Sequence, residues 1–308
     1  MGHAAARASA IIAPIGTTAL LLIAGTALGW SALDVLRKLL APHLSPLAVV
    51  FYLALGQVPV LALWGAATSS GPITPRYLLV AGGSVTLNIV ANGAYVAALL
   101  RSPLSVSVPL LSLTPAFVAT FARPLLGEWP KPVQLLGIAL VVVGALVLGG
   151  AAAEGGSLAA WWRALRREPG ARLMLLVAVC WGLALPLDKL GVEAVGPARH
   201  ALVLCAGISA GTLLVMAVRG RAGELAAGMR GRVLPLLGVA IAVSAVALIF
   251  QLLVIRVALV GVVEAVKRAV GNVMALLIGG VFFGEAVGWK KVLALLLLVA
   301  GVLLILLA

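Results

Sequence analysis

Apolar residues fill ten windows of the chain, at about 15–38, 46–66, 76–99, 104–122, 132–150, 171–190, 198–218, 233–255, 257–282 and 289–308. Pro, Gly, Ser and charged residues punctuate the breaks. A helix rises 1.5 Å per residue, so roughly 20 apolar residues cross a ~30 Å hydrocarbon layer. The pattern therefore predicts an all-α, polytopic membrane protein of ten transmembrane helices. Composition agrees: 63% of the 308 residues are hydrophobic, 10% are charged and the mean hydropathy is +1.22, whereas a soluble domain carries about 25% charged residues.

The windows repeat. Trp30 precedes Lys38 by eight residues, and Trp181 precedes Lys189 by eight. Gly127-Glu128 precedes Gly144 by the interval that separates Gly284-Glu285 from Gly301. The offsets between copies are 151 and 157 residues. This predicts two units, 1–150 and 171–308, each of five spans. An odd number of spans forces the second copy into the membrane upside down. Inverted repeats are a signature of alternating access, with the site between the halves near the midplane. The joining stretch 151–170 contains AAWWRALRREPG, in which Trp161, Trp162 and Leu165 alternate with Arg163, Arg166 and Arg167. It reads as a short helix lying on the membrane surface.

One span breaks the apolar rule. Residues 257–287 carry Glu264, Lys267 and Arg268 about a third of the way in, which puts Lys267 ~12 Å deep at helical rise. A charge at that depth costs at least ~2.5–3.5 kcal/mol, so it faces a partner or a polar cavity. Glu264 shares a helix face with Lys267 and Arg268 at i,i+3 and i,i+4, and one positive charge is left over. Two readings stay open here, an anion-binding site and an internal structural ion cluster, with gating or proton coupling as a third. No other span is expected to hold a comparably deep cation. Asp34 and Asp188 read as residues near helix ends, outside equivalent repeat positions.

Other polar residues point to the same cavity. Asn88, Asn92 and Tyr95 share a face of the third span. Tyr52 and Gln57 lie in the second span, Ser244 and Gln251 in the eighth. The fourth carries Ser105, Ser107, Ser112 and Thr114 around Pro109 and Pro115, where freed backbone carbonyls suit a cavity wall. Each of these also fits plain interhelical hydrogen bonding, worth about 0.6 kcal/mol apiece. Trp30 and Trp181 lie deep enough to line a cavity, whereas Trp64, Trp129 and Trp289 sit at helix ends as interface anchors. The candidate substrate-binding set is Lys267, Arg268, Glu264, Asn88, Asn92, Tyr95, Gln57, Trp30, Trp181 and Gln251.

The net charge of +13 lies between apolar runs, where cations set orientation and meet anionic lipid head groups rather than nucleic acid. Apart from Lys267 and Arg268, seven Lys and Arg flank the spans on the side of the termini and thirteen on the other. By the positive-inside rule this places the termini outside. Cys180 and Cys205 both fall within spans and imply no disulfide. The chain has three histidines, no HExxH, and no Ser or Asp pair in a catalytic setting. No enzyme activity, cofactor or metal is expected. Ten spans suffice for a monomer to enclose a cavity.

Residues 102–148, SPLSVSVPLLSLTPAFVATFARPLLGEWPKPVQLLGIALVVVGALVL, and residues 265–305, with FFGE and Gly301, resemble the repeat ends of EamA-type proteins of the drug/metabolite transporter superfamily. The Trp30-to-Lys38 segment followed by Ser45-Pro46 fits as well. The resemblance implies ten helices in two inverted five-helix repeats, carriage of small metabolites without ATP, and both termini in the cytoplasm of a bacterial inner-membrane protein. VKRAVGN, residues 266–272, is similar to the substrate-binding Lys-Arg segment of triose-phosphate and sugar-phosphate translocators in the same superfamily. That similarity implies phosphate contact at Lys267 and Arg268. The expected function is a secondary transporter for a small polar metabolite, anionic (phosphorylated compounds included) or zwitterionic such as an amino acid. A lipid-phosphate flippase using the same cation pair is the alternative.

Overall fold

The computed structural model describes residues 16–68, 70–101, 108–152, 163, 166–229, 231, 233–283 and 288–308. Among these residues ten α-helices follow in chain order: α1 Thr17–Leu40, α2 Pro46–Ala66, α3 Pro75–Arg101, α4 Thr114–Leu126, α5 Pro132–Ala152, α6 Pro169–Val195, α7 Pro197–Val218, α8 Val233–Val257, α9 Val260–Phe283 and α10 Trp289–Leu307. Short 3-10 segments precede α4 and α8, at Val108–Leu113 and Ala222–Met229. Among the described residues, nine helical stretches are long and apolar enough to cross a membrane, the fourth being Pro109–Leu126. The remaining helix, α9, is the one with Glu264, Lys267 and Arg268 in its first half. The protein is an all-helical, multi-pass membrane protein.

Local chemistry sets the helix ends. Pro46, Pro169 and Pro197 stand in the first turn of α2, α6 and α7, where the missing N–H would have had no partner. Ser45 caps α2 by accepting from the Ala48 N–H at 3.4 Å. Gly127 closes α4 at φ +70°, a left-handed position that a Cβ disfavours. Pro109 and Pro115 do more than loosen the fourth span. The chain runs as 3-10 helix to Leu113 and restarts as α4 at Thr114, because proline fits a first turn but not a helix interior. The surface-helix residues Trp161, Trp162 and Leu165, together with Ser105, Ser107 and Gly284-Glu285, lie outside the described residues.

The packing follows a pseudo-two-fold exchange. α1 packs on α8, and its counterpart α6 packs on α3, while α2 pairs with α7 and α5 with α10. The α5–α10 contact shows this residue by residue. The 157-residue offset that carries Gly144 to Gly301 carries Gly137 to Ala294. A Cβ on Gly137 would meet the Gly301 carbonyl oxygen at 2.7 Å, and one on Gly144 would meet the Ala294 carbonyl oxygen at 3.1 Å. The two crossings are images of one another, and small residues there bring the helix backbones together. α1, α2 and α3 of the first half and α6, α7 and α8 of the second surround a central cavity.

Candidate functional site

Residues from all six of these helices line the cavity, whose volume is about 70 Å³. Five of the ten sequence-predicted residues are in its wall: Trp30, Gln57, Asn88, Asn92 and Gln251. The other five, Tyr95, Trp181, Glu264, Lys267 and Arg268, stand one layer behind and bond to the wall or to each other.

That layer is built on α9. Glu264, fully buried, pairs with Lys267 Nζ at 2.5 Å through Oε2 and accepts from Arg268 Nε at 2.7 Å through Oε1. Lys267 also donates to Gln251 Oε1 at 3.2 Å. Its ammonium lies 5.6 Å from the Trp30 ring centroid, and the Arg268 guanidinium lies 5.3 Å from that of Trp181. These two tryptophans are repeat equivalents, so adjacent cations of one helix each cover the same position in a different repeat. Trp181 in turn packs on Tyr95 with centroids 5.5 Å apart.

The structure corrects the expectation that α9 holds the sole deep cations. Arg37 of α1 is buried in the cavity wall. Its Nη2 donates to Asn92 Oδ1 at 2.7 Å, its Nη1 is 3.7 Å from Asp34 Oδ1, and its guanidinium lies 5.6 Å from the Trp30 centroid and 5.4 Å from that of Tyr95. The Tyr95 hydroxyl hydrogen-bonds Asp34, which is also within electrostatic reach of Lys267 and Arg268. Arg37, Lys267, Arg268, Asp34 and Glu264 thus form one cluster across both repeats. Three cations against two carboxylates leave it one positive charge in excess. Lys189 of α6 is buried too, paired with Glu128 and donating to the Ala258 carbonyl at 2.9 Å. Moving Arg37 and Lys189 out of the loop count removes one cation from each side and leaves its imbalance unchanged.

The asparagines of α3 are bonded within their helix and across it. Asn88 Nδ2 donates to the Ser84 carbonyl at 3.0 Å, and Asn92 Nδ2 to the Asn88 carbonyl at 2.9 Å. Asn92 then has its oxygen free for Arg37. Three buried polar atoms of wall residues have no hydrogen-bond partner: Trp30 Nε1, Arg37 Nη1 and Gln57 Oε1. Gln57 spends its amide nitrogen on the Leu53 carbonyl at 2.8 Å, and its oxygen is left without a partner. Among the described residues no group of three His, Cys, Asp or Glu is placed to hold a metal ion.

The profile of the EamA-like transporter family matches this chain twice, over residues 17–150 and again over 168–307. The chain belongs to the EamA-like transporter family. A solved structure, described only as a crystal structure of a protein, is similar in fold to this EamA-like chain: TM-score 0.69 at 19% identity, covering 94% of this chain and 96% of that one. No curated protein matches. The cavity lies between the two matched segments. Sequence reasoning missed Arg37 and Asp188 in its wall, and Asp34 and His200 bonded behind them. The available signal was the 151-residue offset, which carries Trp30 to Trp181 and equally carries Arg37 to Asp188.

Proposed function

We propose that this chain is a secondary transporter that carries a small polar metabolite with an anionic group, phosphorylated or zwitterionic compounds included, across the bacterial cytoplasmic membrane by alternating access. The observation that carries this reading is the pair of buried donors in wall residues that make no hydrogen bond, Trp30 Nε1 and Arg37 Nη1, the latter only in a long 3.7 Å ion pair with Asp34. A buried donor left without a partner costs about 1–3 kcal/mol. A carboxylate or phosphate oxygen recovers that cost, and the excess positive charge of the cluster behind the wall holds it there. Guanidinium suits either oxyanion as a two-pronged donor. Lys267 and Arg268 supply field and position the tryptophans. Neither the family match nor the cavity lining favours the lipid-phosphate flippase.

The cavity is contracted. About 70 Å³ has room for roughly two waters at the ~30 Å³ each occupies in the liquid, whereas ligand pockets commonly span about 300–1,000 Å³. Admitting a metabolite requires the repeats to separate, which is the motion that alternating access supplies.

Thermal stability of the purified protein against a ligand panel tests the reading. The panel sets phosphorylated metabolites, nucleotide sugars and amino acids against lipophilic cations, on wild type, Arg37→Gln and Lys267→Ala. A ligand at 100 times its dissociation constant adds about 2.7 kcal/mol, which is visible as a melting shift. Anions are expected to shift wild type strongly, Lys267→Ala weakly and Arg37→Gln hardly at all. Shifts by lipophilic cations alone, or anion shifts that survive in Arg37→Gln, would overturn it.

A further inference from the structure

A second polar network occupies the opposite end of the cavity. Asp188 of α6 lines the cavity and is buried. Its Oδ1 accepts from the Ser84 hydroxyl and lies 3.2 Å from His200 Nε2. On the far side of the imidazole, Nδ1 lies 3.3 Å from the Tyr77 hydroxyl. His200 and Ser84 are fully buried and Tyr77 nearly so. Asn88 extends the network by donating to Ser84 Oγ at 3.2 Å. The seat for the imidazole is cut to size, because a Cβ on Gly191 would meet His200 Cε1 at 2.3 Å.

Two features set this network apart from the cation cluster. Arg37 bonds Asn92 and Asp188 bonds Ser84, eight residues apart on α3, so the cavity has a cationic pole and an anionic pole ~12 Å apart at helical rise. The charges of an α-amino acid are much closer together than that and cannot bridge the poles. Among the described residues the anionic pole also lacks a fixed counter-cation: Lys189, next along α6, is taken by Glu128 and the Ala258 carbonyl, and Arg199 donates to the Gly71 carbonyl. The other ionisable groups facing the pair are Tyr77 from α3 and Cys205 from α7. α2 and α8 contribute Gln57 and Ser244 to the nearby wall, neither of them ionisable.

We propose that the Asp188–His200 pair, backed by Tyr77, is a proton-binding site that couples substrate movement to protons. This rests on the transport reading above. The pair stays neutral only with one shared proton, held as carboxylate and imidazolium or as carboxylic acid and imidazole. Loss of that proton leaves a bare carboxylate in a buried site, which is strongly unfavourable. The proton therefore stays while the cavity is closed and leaves to water when the cavity opens. Imidazole is the side chain whose ordinary titration falls between about pH 5 and 8. With Nε2–H donating to Asp188, the neutral ring accepts from the Tyr77 O–H at Nδ1. A second ring proton, at Nδ1, reverses that bond, so that the ring donates to the Tyr77 oxygen.

His3, His43 and His200 are the three histidines, so His3→Gln with His43→Gln leaves His200 as the sole imidazole. Nitrogen NMR in nanodiscs reads its protonation, and infrared difference spectra read the Asp188 carboxyl. A protonation change is expected at one end or the other as pH is varied over the range in which the protein stays folded, with the response abolished or displaced in Asp188→Asn. If neither spectrum responds to pH, or Asp188→Asn changes nothing, the proton site is refuted. In proteoliposomes, uptake of inorganic phosphate or L-serine is expected to accelerate several-fold under a proton gradient in wild type. Asp188→Asn, with His200→Gln as the second variant, should equilibrate the solute equally with or without the gradient. Gradient-independent uptake by wild type overturns the coupling. If neither solute enters, it is the transport reading that falls, and the titration, which needs no solute, still decides the proton site.

Discussion

Lys267 holds its ammonium 5.6 Å from the centroid of Trp30. Arg37 lies at the same distance from the same ring, so one indole serves a cation from each repeat. A desolvated cation–π contact is worth about 2 kcal/mol, and Nε1 of this wall residue is buried without a hydrogen bond. Trp30→Phe keeps an aromatic face and removes the donor. It is expected to leave melting within about 2 °C of wild type for a chain of this size and to weaken anion-induced shifts about tenfold in apparent affinity, as loss of one hydrogen bond to a charged group does. Trp30→Ala is expected to lower melting as well. Equal ligand responses in wild type and Trp30→Phe would remove Trp30 from the site.

Glu264 is the keystone of the cation cluster, because it neutralises Lys267 and Arg268 together. Glu264→Gln leaves two adjacent buried cations, with Arg37 nearby. Breaking a buried ion pair by removing one partner costs about 3–5 kcal/mol. The variant is expected to fall in stability by that order in denaturant titration. Adding Lys267→Met restores charge balance and should recover more than half of the loss. If the double variant is no more stable than Glu264→Gln alone, the cluster is not held by charge balance.

The ten helices were legible because a bilayer demands about 20 apolar residues per span, and that demand overrides local propensity. The burial of Lys267 inside an apolar stretch was legible for the same reason. Arg37 was not. It stands three residues before the end of α1, where position alone reads as a loop cation, and only its bond to Asn92, 55 residues away, shows it buried. His200 likewise follows Pro197 at the start of α7 and looks like part of a helix end. Glu128 and Lys189 were both visible as repeat markers, but nothing in their spacing showed that they bond to each other. Charge partners chosen across the two-fold exchange are set by tertiary packing, which a periodic pattern does not encode.

The α5–α10 crossing depends on glycine at both positions 137 and 301, each of which would place a Cβ 2.7 Å from the other's carbonyl oxygen. Backbone atoms cannot swing aside as a side chain can. Gly301→Ala is expected to cost about 1–3 kcal/mol by overpacking, and Gly301→Leu to lower the yield of folded protein sharply. Gly288→Ala, which meets nothing within 4 Å, is the control. A Gly301→Leu variant that melts like wild type would show that this contact does not hold the halves together.

Glu128 joins three elements at one end of the molecule. Its Oε1 pairs with Lys189 on α6, and its Oε2 accepts from the Val260 N–H at 3.1 Å, which opens α9. Lys189 also donates to the Ala258 carbonyl in the connection between α8 and α9. The same end is drawn together by the Gly71 N–H bonding the Val195 carbonyl at 3.3 Å and by Arg199 donating to the Gly71 carbonyl. On the transport reading proposed above, opening the cavity on this face would break the Glu128–Lys189 pair, which joins the two repeats. Cys205, buried in the cavity wall, reports the opening directly. In a Cys180→Ala background, Glu128→Gln is expected to raise the rate at which a small maleimide modifies Cys205 several-fold and to lower melting, because buried Lys189 loses its charge partner while the amide still accepts from Val260. Glu128→Ala should raise labelling further and lower melting more, since it loses the Val260 bond as well. Lys189→Met in the Glu128→Ala background should restore stability while labelling stays fast, because no ion pair remains there. Labelling that stays at the wild-type rate in all three would mean that the cavity opens elsewhere.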